Sequence, residues 1–180
     1  MATSPQTLSL DHRRLVAAWA ADCAEHVLDI FEDAVPDDGR VRASIQQARS
    51  FAAGDLDVAE AVKRRGGDAG AAAREAPTPA SRAAAYAAEQ AAAVAHMGAH
   101  ALGAAGYAAK ASTLDVGGDD DVARAEARGQ VAAMTEAVVH ALSGLPRLGE
   151  NRAGPLGPGR LSGGHVGVAI RAIQELLNGH

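Results

Sequence analysis

The sequence predicts an all-α fold, a multi-helix bundle or repeat-like helical array of about six to seven helices. Three observations carry that prediction. Alanine dominates a hydrophobic fraction of 48% while aromatics make up only 3%, and alanine is the strongest helix former because it loses no side-chain entropy in a helix. Apolar residues recur at three- and four-residue steps, the spacing of a helix that buries one face. Glycine and proline gather at a few places, where one helix would stop and the next start. The 180 residues suffice for one domain with a core. Because alanine buries little area, that core must come from close helix–helix approach.

Taken in order, residues 1–10 are polar with one proline and read as a flexible lead-in to a helical domain over 11–142. The first helix is expected over about 11–31, with Leu15, Trp19, Cys23, His26 or Val27, and Ile30 on its buried face. Pro36 stops it, and Asp37 or Asp38 can cap the second helix, over about 39–53, which turns Val41, Ile45, Ala48 and Phe51 or Ala52 inward. Gly54 ends that helix and Asp55 or Asp57 caps a third, with Val58 and Val62 inward. Gly66-Gly67 weakens the third helix, and 71–76 reads as its continuation or as a separate turn.

Pro77-Thr78-Pro79 marks the clearest boundary, with Thr78 as cap and Pro79 at the first helical position. The helical pattern of 80–111 is longer than a typical globular helix, so two antiparallel helices with a break near Gly98 are expected. Gly117-Gly118 followed by Asp119-Asp120-Asp121 is a stop and then an acidic start that suits the helix dipole. The sixth helix runs from there to about Leu142. The Gly/Pro-rich loop 143–164 cannot be a regular element, and a C-terminal amphipathic helix over 165–180 carries the stripe Val166, Ile170, Ile173 and Leu177. Loops of that length inside compact domains are uncommon and are usually functional or disordered. The terminal helix needs something to dock on: its own domain, a swapped copy or a partner.

Charge and composition exclude several classes. A net charge of -5 and a pI near 5.8 argue against a nucleic-acid binder, which would show a basic face. The single cationic run, Lys63-Arg64-Arg65, sits where cations favour a helix C-terminus. One cysteine cannot form an internal disulfide and fits a reducing compartment. No secretory signal is visible at the start, and no stretch reaches the roughly 18 apolar residues of a membrane span. A cytoplasmic location is the expectation.

Residues with chemical potential are few. His96 and His100 are four apart and would share a helix face if the helix were unbroken there. The glutamate of a His-Glu-x-x-His motif is missing. Cys23 and His26 also share a face, and with His96, His100 and His140 they could be imagined as a metal cluster, but no spacing requires them to meet. Polar packing between helices is the simpler reading, so no metal and no cofactor is expected. Cys23, between Trp19 and Val27, reads as a small buried hydrophobe rather than a nucleophile. The run Gly154-Pro155-Leu156-Gly157-Pro158-Gly159-Arg160 lacks both a preceding strand and a Gly-Lys-Ser/Thr, so it reads as a linker and not as a phosphate loop. Tyr86 and Tyr107 either fill space in an alanine-rich bundle or hold a pocket open.

Two blocks near the start are specific: Trp19-Ala-Ala-Asp22-Cys23-Ala-Glu25-His26-Val27-Leu28-Asp-Ile-Phe31-Glu32, and Pro36-Asp37-Asp38-Gly-Arg40 leading into Ile45-Gln-Gln-Ala48-Arg49-Ser-Phe51 and Gly54. With Ala95-His96-Met-Gly-Ala-His100-Ala101 and Tyr107-Ala-Ala-Lys110 further on, they resemble the actinobacterial "putative immunity protein" family, grouped with the immunity-like proteins of bacterial polymorphic-toxin systems. The resemblance covers about residues 10–142. It implies an all-helical, repeat-like domain that works by binding rather than by chemistry, with no catalytic residues to carry over. The segment 143–180 looks like an addition.

Two functional readings follow. In the first, the chain is a non-enzymatic immunity or self-protection factor that holds a protein toxin, its acidic surface suiting a basic partner. In the second, it is a small-molecule-binding resistance protein or an accessory enzyme of a biosynthetic pathway. An inter-helix pocket would then take a small apolar molecule with the 143–164 loop as its lid. The candidate ligand-binding residues are His26, Tyr86, His96, His100, Tyr107, Arg152 and Arg160. A homo-oligomer assembled through the last helix is a third possibility.

Overall fold

The structure is a computed structural model that describes residues 4–64 and 68–179. Among these residues it contains helices, turns and irregular segments, and no strand. The helical segments are α1 (Leu10–His26), α2 (Leu28–Ala34), α3 (Arg40–Ala53), α4 (Val58–Arg64), α5 (Ala69–Glu75), α6 (Pro79–Ala93), α7 (His100–Asp115), α8 (Asp120–Ala132), α9 (Glu136–Ser143) and α10 (Gly164–Asn178). They number ten, or nine if α1 and α2, parted by Val27 alone, count as one bent helix. The expectation of six to seven falls short for three local reasons. The first helix breaks at Val27, and residues 69–75 form a helix of their own. The 119–142 helix also breaks at Ala133, where Thr135 accepts a hydrogen bond from the Val138 amide and starts α9. The glycine pair 66–67 lies outside the described residues.

Most helix starts use the caps the sequence offers. Ser9 caps α1, Asp38 accepts from the Arg40 amide, and Asp57 accepts from the Glu60 amide at the start of α4. Thr78 and Ser81 form a reciprocal capping box with Pro79 in the first turn of α6. These contacts satisfy amides that have no partner inside a helix. Gly54 ends α3 at φ 87°, a left-handed conformation that glycine adopts without a Cβ penalty.

The centre of the fold is the pair α6–α7. Tyr86 meets Tyr107 and Gln90 meets His100, so the two helices run antiparallel. Both are buried nearly all round: Ala83, Ala84, Ala85, Ala87, Ala88 and Ala91 on α6, and Ala101 through Ala109 on α7. A helix apolar on every side belongs in the middle of a domain. α1 and α3 pack on one side of this pair, α5 covers α6, and α10 lies across α7 and α8. Glycines on α7 permit the closest approach: a Cβ at Gly106 would sit 2.9 Å from Val166 Cγ1 and 3.1 Å from Ile170 Cγ1 of α10.

The large core side chains are Phe31, Phe51, Ile45 and Leu102, joined by Leu142, Leu156, Ile170 and Ile173 from the C-terminal part. The terminal helix therefore docks on its own domain. The loop before it has no regular structure yet is packed. Buried Gln6 donates from Nε2 to the Ala153 carbonyl at 2.8 Å, and its Oε1 accepts from the Leu156 amide at 3.0 Å. Gln174 of α10 likewise accepts from the Leu148 amide and donates to the Pro146 carbonyl. The described part of the N-terminal lead-in is tied down as well, because the amides of Gly98 and Ala99 donate to the carbonyls of Thr7 and Gln6. No helix among the described residues is long and apolar enough to cross a membrane.

Candidate functional site

Four of the residues singled out from the sequence meet along the α6–α7 seam. The Tyr86 and Tyr107 rings lie 5.3 Å apart, and the Arg160 guanidinium sits 5.5 Å above the Tyr86 ring. One turn further along, His100 Nδ1 lies 2.8 Å from Gln90 Oε1. An amide oxygen accepts, so Nδ1 carries the proton there. Burial, reinforced by nearby His96, pushes the His100 imidazole down to about 4 and keeps the ring neutral at physiological pH. Burial also raises the Tyr107 phenol above its ordinary value. The space the sequence left open beneath the 143–164 loop is occupied: Leu156 is fully buried, Leu161 nearly so, and a Cβ at Gly103 would strike Gln90 and Leu161. The two tyrosines and His100 interdigitate with their neighbours.

The other candidates lie apart. His96 sits in the turn between α6 and α7 and His100 opens α7, so the shared helix face does not exist. Among the described residues no group of three or more His, Cys, Asp or Glu side chains is placed to hold a metal. His140 packs edge-on against His12 at 5.8 Å. Arg152 is exposed on the loop. His26 ends α1 far from the tyrosines, with Nε2 3.7 Å from Glu126 Oε2.

That position belongs to a feature the sequence did not reveal, a groove between α1 and the α8–α9 pair. Leu15, expected on the buried face of α1, is 39% exposed. Val16, Ala17, Ala20 and Ala24 point inward instead, because alanines fit the tight contacts with α3, α6 and α7. Leu15 thus belongs to an outward stripe with Asp11, Ala18, Asp22 and His26. The groove has two compartments that share Trp19, Asp22 and Ala133. The first, about 490 Å³, is floored by Leu15, Ala18, Trp19, Met134 and Val138, with Asp11 and Arg14 beside them. The second, about 370 Å³, is lined by Cys23, His26, Glu126, Gly129 and Gln130 as well as the shared residues. Trp19 is fixed between them, its Nε1 donating to the Gln130 carbonyl at 3.1 Å. Burial, with the Asp22 and Glu126 charges, drives the Cys23 thiol far above its ordinary value, so it stays protonated and unreactive. A larger groove lies beside α3, about 950 Å³, and its arginines are engaged: Arg40 with Asp38 and Glu75, Arg64 with Glu60.

Fold and surface together define an alanine-rich, all-helical protein with a filled centre and open lateral grooves. Comparison with known families specifies it further: residues 6–141 match the Imm-5 like putative immunity protein family, and the chain belongs to that family. The match stops just before the Gly/Pro-rich loop and α10. No curated protein and no solved structure matches the chain.

Proposed function

We propose that this protein is a self-protection factor that acts by binding a protein toxin, and that the α1 groove is where it binds. Membership of the immunity family over residues 6–141 carries this reading. The groove supports it physically. An apolar floor of Leu15, Trp19, Met134 and Val138 inside a rim of Asp11, Arg14, Asp22 and Glu126 has the core-and-rim layout of a protein interface. The net charge of -5 would speed encounter with a basic partner. Close packing along the α6–α7 seam, where Gly103 approaches Gln90 and Leu161, supports this reading over a small-molecule pocket there.

The test is co-expression with candidate protein toxins, basic ones first. The reading expects growth to be restored and a stable complex to be isolated. Undiminished toxicity with no complex would overturn it.

A further inference from the structure

The second compartment of the groove has a chemistry more specific than a general docking surface. Its walls are apolar or small: Trp19, Cys23, Ala125, Gly129 and Ala133. A Cβ added at Gly129 would meet nothing within 4 Å, so this wall stands back from the space. Glu126 and Gln130 line that space from α8, four residues apart on one helix face. Glu126 is 24% exposed, and its closest ion-pair partner among the described residues is His26, at 3.7 Å, beyond hydrogen-bond length. Gln130 is 9% exposed, and its Oε1 is buried with no donor. The amide orientation is fixed, because Nε2 donates to the Ala105 carbonyl at 3.1 Å. The Gln130 oxygen is enclosed, so the acceptors an occupant meets are those of the Glu126 carboxylate. Asp22, on the rim, adds a further carboxylate, shared with Arg49 at 2.9 Å.

An occupant that fits must bring an apolar stem for the walls, a positive charge for Glu126 and Asp22, and several N–H donors at once. Arginine matches this set better than lysine. Its planar head presents five donors in a fixed fork and is less strongly hydrated, so it loses less on entering a half-buried site. Aliphatic stems of long cationic side chains cover apolar surface while the head stays polar. At about 370 Å³ the compartment lies within the range of small-ligand sites, about 300–1,000 Å³.

We infer that the compartment between α1 and α8 is a receptor for one arginine side chain of the protein partner, with the Glu126 carboxylate holding the guanidinium and Trp19 bounding its stem. The inference rests on the proposed binding role and names the chemistry of the partner at one point. Trp19 is the only tryptophan and reports on the compartment directly.

The experiment titrates the full chain with N-acetyl-arginine amide and with N-acetyl-citrulline amide, its neutral isostere, at matched ionic strength, and follows Trp19 fluorescence. The arginine probe is expected to give a saturable change, and the citrulline probe to bind at least tenfold more weakly. Glu126→Gln, a partly exposed position whose melting temperature should hold, is expected to weaken the arginine probe about fivefold or more. No saturable change with arginine, or an equal response to citrulline, would overturn the inference. The same variant separates this idea from the broader reading. If Glu126→Gln binds the toxin as tightly as wild type, the arginine receptor is refuted and the immunity role stands. If wild type binds no toxin at all, the broader reading fails whatever the probe shows.

Discussion

Acid should loosen this protein through His100, and the size of the effect can be worked from its surroundings. The imidazole is pushed from its ordinary 6.5 to about 4 in the fold, where Nδ1–H donates to Gln90 Oε1. As pH falls below about 6.5 the unfolded chain takes up a proton that the folded chain refuses, so stability drops. The loss grows until the folded form also protonates near 4, and no further loss comes from this group below that. A tenfold difference in proton affinity between the two states is worth about 1.4 kcal/mol, which gives about 2 kcal/mol lost by pH 5 and about 3 kcal/mol at the limit. Other groups titrate in the same window. Burial raises Glu89, which acts in the opposite direction. The carboxylates of Asp38 and Glu75, held low by Arg40, lose their contribution at lower pH. Urea unfolding of wild type and His100→Gln, followed by circular dichroism from pH 7.5 to 4.5, isolates the histidine, because the other groups cancel in the difference. The wild-type advantage over the variant should shrink by about 2 kcal/mol between pH 7.5 and 5. Parallel curves would refute a buried neutral His100.

Further outcomes follow from the packing. Gly106→Ala puts a methyl group 2.9 Å from Val166 and 3.1 Å from Ile170; overpacking of about 1–3 kcal/mol outweighs the roughly 1 kcal/mol of helix propensity gained, so calorimetry should show a lower melting temperature. A raised one would contradict the close α7–α10 contact. Gln6→Ala removes both hydrogen bonds to the loop and leaves the Leu156 amide unpaired, costing about 1–3 kcal/mol. Hydrogen exchange at Leu156 should accelerate, and unchanged protection would refute the clamp. Deleting 143–180 strips Leu156, Ile170 and Ile173 from the core, and the remainder should lose its cooperative melting transition. A sharp transition in the truncated chain would show that the segment is dispensable for folding.

Much of the helical layout is legible in the sequence because its punctuation is local. Pro36, Gly54, Thr78-Pro79 and Asp119 act through their own backbone and neighbours. The break at Val27 is hidden because the apolar spacing continues through it, and the start at Thr135 because residues on both sides keep a helical rhythm. The orientation of α1 misleads for a different reason. In a core built from alanine the buried stripe carries little hydrophobic contrast, so Leu15 suggests a face that the alanines actually set, while Trp19 and Cys23 are buried as their spacing indicates. Tyr86, Tyr107, His100 and Arg160 stand out by residue type, yet Leu161, which reaches the same seam at Gly103, comes from the loop, and no sequence spacing announces that return. The groove is invisible in the sequence because His26 and Glu126 are brought together only by tertiary packing, and Gln130 becomes conspicuous only once its oxygen is found buried without a donor.

The central claim is that this chain binds a protein toxin through the groove along α1. Its most direct test is the affinity for that toxin, measured by calorimetry for wild type, Leu15→Asp and Val116→Asp. Leu15 is 39% exposed on the groove floor, and Val116 is 68% exposed at the end of α7, outside the groove. Neither change should alter folding. Leu15→Asp should weaken binding by about a hundredfold, close to 2.7 kcal/mol, and Val116→Asp should leave it unchanged. Equal affinities for all three proteins would contradict the claim.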